Sequence, residues 1–277
     1  MTADQLFPAA RIDLDADMCR IGYSGSRDAT LGTLQALHNL HPQEIAFENL
    51  DPLFGNLPVR LDPESLVDKL VRKRRGGYCF EQNLLFGTVL SALGFGVTGL
   101  SARIRWSQND CVLTPRGHML LKVQAEGEEH IADVGFGALT LTAALRLDTD
   151  REQQTPHERF RLVERNGLYR LDAEIGTDWR PVYVFDLQAQ VLGDYEIANY
   201  YLSSHPSSHF CDTLIAARPF DGGRYALLDN RLTIHTFDAP PQRTLLTSVA
   251  ELRDILGSRF LIDVPRNHEA ALSWVIR

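Results

Sequence analysis

The chain has 277 residues, 44% of them hydrophobic, and a formal net charge of −8. That length and composition belong to an ordinary globular protein with one large core or two to three smaller ones. The negative balance lacks the basic footprint that displaces counterions from a phosphate backbone, so no nucleic-acid partner is expected.

Met1 to Arg20 holds Asp4, Asp13, Asp15 and Asp17 and no sustained apolar run, so no secretory signal is expected. The longest uncharged stretch, Leu84 to Ala102, is interrupted by glycines and hydroxyl residues. It reads as a helix followed by a strand, with no membrane span. Cys19, Cys79, Cys111 and Cys211 form no C-x-x-C pair. Neither a zinc knuckle nor a disulfide framework is therefore expected, and a reducing cytoplasm fits.

In chain order, Asp28 to Thr30 lead into Leu31, Leu34, Leu37 and Leu40 at helical spacing, which Pro42 should end. His38 and His41 on that helix lack the third ligand of a zinc motif, so no metal is expected. Ile45 to Leu50 is a short mixed segment followed by loop residues, and Glu48 and Asn49, if enclosed, need partners. A second helix starts with Asp62 as N-cap and Pro63 at its first position. Its stripe of Leu66, Val67, Leu70 and Val71 ends in the basic run Arg72 to Arg75. Most of that run complements the negative end of the helix dipole, whereas Arg75 abuts two glycines and is placed for a buried bidentate pair with Glu48.

Cys79 then opens a helix whose inward positions are Phe80, Leu84, Leu85, Val89 and Leu93, with Gly94 as its stop. The first turn of a helix presents unpaired N–H groups and partial positive charge, which favour an anion such as a thiolate. Cys79 is therefore either an activated nucleophile or a buried structural thiol. Gly94 to Gly99 spells G-x-G-x-x-G, but it follows a helix and enters a strand, the reverse of the dinucleotide-binding order.

From Val97 the pattern changes to short β-rich runs: Leu100 to Trp106, His118 to Ala125, His130 to Val134, Phe160 to Glu164, Leu168 to Leu171 and Tyr183 to Asp186. A small antiparallel barrel or curled sheet is expected. Asp194 to Glu196 opens a last region with a polar loop over 203–210. Strands Tyr225 to Asn230 and Arg231 to Phe237 follow. A final helix has a Ser248/Glu251 capping box and Gly257 as its end.

A nucleophilic thiol needs a histidine and a third group that fixes the imidazole. His118 opens an apolar strand, and an even-length turn, either Glu126-Gly127 or Glu126 to Glu129 with the same parity, leads to Ile131 to Val134. A two-residue turn sets Asp133 opposite Leu120, diagonal to His118 on the same face, placed to accept from one ring nitrogen while the other faces the sulfur. The bland reading of Asp133 is a strand-end acid bonding a turn. Gly135, Phe136 and Gly137 follow as a pocket lip.

These motifs together resemble the arylamine N-acetyltransferases: R-G-G-x-C at Arg75 to Cys79, Glu81 and Asn83 after it, His118 opening its strand, and D-V-G-F-G at Asp133 to Gly137. Arg20 to Tyr23, Phe47 to Leu50, Asp194 to Glu196 and Pro206-Ser207-Ser208-x-Phe210 fit the same pattern. The resemblance covers nearly the full chain. It implies an α+β fold of a helical bundle (1–94), an antiparallel β-barrel (95–193) and an α/β lid (194–277), the first two related to cysteine-protease-like folds. It implies a Cys79–His118–Asp133 triad, acetyl-CoA as donor and arylamines or hydrazines as acceptors. It also implies Phe47, Tyr78, Ile104, Phe136 and Phe210 around the substrate, Gly135 and Gly137 near the coenzyme, and Glu48 with Arg75 as structural support. A homodimer is compatible with it. The same triad also serves hydrolases, transglutaminase-like enzymes and amide synthases, and a silent binding module is the reading from outside enzymology.

Overall fold

The computed structural model describes residues 6–9, 12–108, 113–265 and 269–276; Cys111 lies outside them. Helix α1 (Leu14–Arg20) is capped by Asp13, whose carboxylate accepts from Ala16 N at 3.0 Å. Helix α2 (Leu31–Glu44) is capped by Thr30 in the same way. Pro42 does not end α2 as expected. It sits in the last turn, the helix runs on to Glu44, and Ile45 N still closes on His41 O at 2.8 Å.

Strand β1 (Phe47–Glu48) is followed by a short helix, α3 (Leu50–Phe54), rather than by loop. Asp62 and Pro63 start helix α4 (Pro63–Leu66) as expected. The expected single helix then widens into a π-helical segment, Val67–Arg72, with Lys73 N bonded to Asp68 O, one residue beyond the α spacing. Helix α5 (Cys79–Ala92) is enclosed all round from Cys79 to Leu90, polar Glu81, Gln82 and Asn83 included.

The expected barrel is an eight-stranded antiparallel sheet built from β2 (Gly96–Ile104), β3 (Arg116–Ala125), β4 (Glu128–Ala132), β5 (Leu145–Arg146), β6 (Glu152–Gln154), β7 (Arg159–Arg165), β8 (Leu168–Ile175) and β9 (Asp178–Phe185). Its order is β5-β4-β3-β2-β9-β8-β7-β6. Between the two end strands, the Gln153 side chain bonds both the N–H and the C=O of Arg146, so one amide bridges the gap that no ladder closes. Leu100, Leu120, Ile131, Leu162, Leu171 and Val182 fill the interior.

The Glu126-Gly127 turn has both residues at positive φ, +52° and +83°, the geometry of a two-residue hairpin. It pairs Val123 with His130 and Leu121 with Ala132, the expected register, which brings Asp133 to the His118 end of the hairpin.

Residues 192–204, given no element from sequence, form helix α6 (Leu192–Ser204). Its packed face carries Tyr195 and Asn199, while Ile197 and Tyr200 point outward and blur the amphipathic signal. Strands β10 (Ile215–Phe220), β11 (Gly223–Leu228), β12 (Arg231–Thr236) and β13 (Ala239–Leu245) extend β1 into a five-stranded sheet. Strand β13 was hidden by Pro240 and Pro241, which only an edge strand tolerates. Helices α7 (Val249–Ser258) and α8 (Glu269–Val275) cover this sheet through Leu252, Leu256 and Leu272. Ser248 caps α7, but Glu251 returns to Thr247 N instead of the cap residue, and the helix passes Gly257 by one residue.

Gly127→Ala places a Cβ in a left-handed turn and should destabilise the protein by about 1–2 kcal/mol, read as a lower denaturant midpoint at unchanged slope.

Candidate active site

Cys79 is the first residue of α5 and 4% exposed. Its Sγ lies 3.8 Å from Gly117 O on β3, and it shares a cavity with His118, the next residue along that strand, whose imidazole feels its charge. His118 Nε2 sits 2.7 Å from Asp133 Oδ2. Asp133 is fully buried, and its other oxygen, Oδ1, accepts from Asn83 Nδ2 at 3.1 Å and Gly135 N at 2.9 Å. The three residues that the hairpin register was expected to assemble are therefore in one chain of contacts.

Burial alone would push His118 down, but the charge and hydrogen bond of Asp133, joined by those of Cys79, outweigh it and lift the imidazole to about 10. Burial likewise works to raise Asp133, yet the His118 charge and the donors around it hold the carboxyl below its usual range. With Nε2 committed to Asp133, Nδ1 is the nitrogen left for the sulfur.

His38, weighed from sequence only as one of a possible metal pair, instead accepts from Asp133 N through Nε2 at 3.0 Å. Burial, opposed by Asp133, lowers it to about 4, which keeps it the neutral acceptor this bond requires. His41 Nε2 donates to Gln82 Oε1 at 2.8 Å. Among the described residues no group of three His, Cys, Asp or Glu side chains could hold a metal ion, and no helix is long and apolar enough to cross a membrane.

A cavity of about 380 Å³ opens onto Cys79 and His118. Phe47, Ile104, Phe136 and Phe210 line it, together with Trp106, Thr114, Tyr201 and Leu202, which sequence reasoning did not single out. Phe136 meets the His118 ring edge-on with centroids 5.2 Å apart, and Tyr183, also not singled out as a site residue, lies 5.2 Å from His118 and 5.6 Å from Phe136.

Tyr78 is a correction: it is fully buried and not among the lining residues. Its ring packs edge-on against Phe80 and Phe210, its hydroxyl donates to Asn199 Oδ1 on α6, and Asn199 Nδ2 donates to Val59 O at 2.9 Å. Gly135 borders the cavity, and a Cβ there would stand 2.7 Å from Cys79 Cα. Gly137, at φ +90°, faces the Phe47 ring and is not a lining residue.

The Glu48–Arg75 pair forms, with one change of geometry. Arg75 Nε and Nη2 both converge on Glu48 Oε1, at 2.8 and 2.7 Å, because Oε2 is taken by Leu50 N at 2.6 Å. Arg75 Nη2 also reaches Asp51 Oδ1 at 3.2 Å.

A family model described as N-acetyltransferase matches residues 30–269. The curated arylamine N-acetyltransferase of Mycolicibacterium smegmatis is 40% identical over 256 residues, 91% of this chain and 93% of that protein. The chain belongs to the arylamine N-acetyltransferase family. The family's members are acyltransferase enzymes. The structure of the M. tuberculosis arylamine N-acetyltransferase superposes with a TM-score of 0.91 at 40% identity, covering 96% of this chain and all of that one. That of the Mycobacterium marinum enzyme in complex with CoA superposes at 0.89 with 39% identity, over 95% of this chain and 98% of that one.

Gly135→Ala should force the first turn of α5 and the Gly135 loop apart and destabilise the protein by about 1–3 kcal/mol, the usual cost of overpacking a closed site. A lower denaturant midpoint at unchanged slope reads the effect.

Proposed function

We propose that the protein transfers an acetyl group from acetyl-CoA to aromatic amines or hydrazines through a Cys79 thioester. The observation that carries this reading is the connected Cys79–His118–Asp133 chain at the floor of an aromatic cavity. The membership of the chain in its family, and the CoA complex of the M. marinum relative, support the choice of donor and acceptor.

In the first half-reaction the Cys79 sulfur, as thiolate beside the His118 imidazolium, attacks the thioester carbonyl. The first-turn N–H groups of α5 receive the oxyanion. The carbon–sulfur bond to coenzyme A breaks, and the departing sulfur takes the proton from His118. The two thioesters are close in energy, so the acetyl-enzyme persists until an amine enters.

In the second half-reaction the amine nitrogen attacks the acetyl carbon, neutral His118 removes the amine proton, and the Cys79 sulfur leaves. Asp133 keeps the imidazole in its working tautomer throughout and is not itself protonated. Phe47, Phe136 and Phe210 offer flat apolar faces to an aromatic acceptor. The Gly135 to Gly137 segment is the proposed coenzyme side, since a side chain at Gly135 would meet the Cys79 backbone. Free thiols at Cys19, Cys79 and Cys211 suit a reducing cytoplasm.

Treatment with acetyl-CoA should add one acetyl group, mapped by mass spectrometry to the peptide holding Tyr78-Cys79-Phe80, and an arylamine should remove it. Loss of the acetyl at full rate without amine would instead mark a hydrolase. Cys79→Ala should abolish turnover, and Asp133→Asn should lower kcat by about 10³–10⁴-fold through loss of imidazole orientation. Near-normal kcat in D133N would refute the triad.

A further inference from the structure

The first turn of α5 holds a second ionisable group besides Cys79, and the mechanism above gives it no role. Glu81 is 1% exposed, and its Oε2 accepts from Tyr78 N at 3.1 Å, folding the carboxylate back over the helix start. Its Oε1 takes Lys69 Nζ at 2.6 Å. Lys69 comes from the π-helical segment, its side chain is 14% exposed, and the same ammonium reaches Asp51 Oδ2 at 2.7 Å. Lys69 also holds the other end of the loop through its backbone, since Arg75 N donates to Lys69 O at 3.0 Å.

A bare carboxylate two residues from the nucleophile opposes the electrostatics that a helix N-terminus offers a sulfur anion, because like charges in an enclosed site disfavour each other's ionised form. We propose that Lys69 is a positioning residue for Cys79: its ammonium compensates Glu81 and keeps that carboxylate on the Tyr78 amide, leaving the positive end of the α5 dipole to the sulfur. This rests on Cys79 being the nucleophile.

The ionisable groups facing Glu81 are Lys69 of the π-helical segment, Asp51 of α3, Glu48 of β1, and Arg75 and Tyr78 of the loop. Burial lifts Glu81 to about 7 against the pull of Lys69. With Lys69 gone, the remaining cation facing Glu81 is that of Arg75, which is already paired with Glu48 and Asp51. As pH rises, its ionisation and that of the thiol then compete.

The test is the alkylation rate of Cys79 by iodoacetamide, read by peptide mass so that Cys19, Cys111 and Cys211 are counted separately. The full chain is followed from about pH 4 to about pH 9, the span in which activated and ordinary protein thiols ionise. Lys69→Met should slow alkylation about tenfold at the alkaline end of that span, where Glu81 ionises without its cation, the size of a like-charge effect across a partly screened site. Lys69→Arg should stay close to wild type, and K69M/E81Q should recover most of the loss, because the opposing charge is gone. Should K69M not fold, E81Q alone decides, since it must alkylate at least as fast as wild type. A K69M profile identical to wild type, a loss that E81Q leaves undiminished, or a slow E81Q would each overturn the proposal. Alkylation needs no acetyl-CoA, so failure of acetyl transfer is read separately.

Discussion

A carboxylate with no access to water is the constraint from which this site is built. Ionised Asp133 in the interior is tolerable only if its lone pairs are filled. The donors arrive from three directions: His118 from β3, Asn83 from α5 and the Gly135 amide from the loop beyond β4. Its own N–H goes to His38 on α2. Satisfying one buried charge thus fixes helix, hairpin and loop relative to one another, and sets the imidazole in their midst beside Cys79. The same arithmetic makes the site a contributor to pH-dependent stability. A histidine raised to about 10 in the fold adds stability that is whole below its unfolded value of about 6.5 and lost as pH climbs through the folded one.

A second buried charge system holds the other side of the nucleophile. Glu48, Arg75, Asp51, Lys69 and Glu81 alternate in sign along the contacts that enclose the Arg75 to Tyr78 loop. Such an arrangement adds little net stability over an apolar replacement, but loss of one member strands its neighbour as an unpaired buried charge, at about 3–5 kcal/mol. Tyr78 extends the loop's attachment to α6 and, through Asn199, to Val59. The cavity wall contributed by Tyr201 and Leu202 is therefore tied to the residue before Cys79.

The meeting of Cys79, His118 and Asp133 was legible because each sits on an element with a strong local signal. Gly94 and the apolar period defined α5, and a two-residue turn fixes a hairpin's register by counting. Asn83 could have been assigned with them: it lies four residues beyond Cys79, on the same helix face, polar in an otherwise apolar run. Tyr78 was placed around the substrate by the family resemblance alone, and with α6 not visible nothing withdrew the phenol toward Asn199. Lys69's two carboxylates were unreadable for a different reason: they reach its ammonium from α3 and α5, separate parts of the sequence. The convergence of Arg75 on one Glu48 oxygen was hidden likewise, since only the fold reveals that Leu50 N claims the other.

The central claim is that a buried Asp133 carboxylate keeps His118 protonated far above an ordinary histidine. Observing the His118 ring resonances by NMR during a pH titration tests it directly. A midpoint near 10 in the wild-type protein, falling well below the ordinary value of about 6.5 when Asp133 is replaced by asparagine, is the expected result. A wild-type midpoint at or below the ordinary value, unmoved by that replacement, would contradict it.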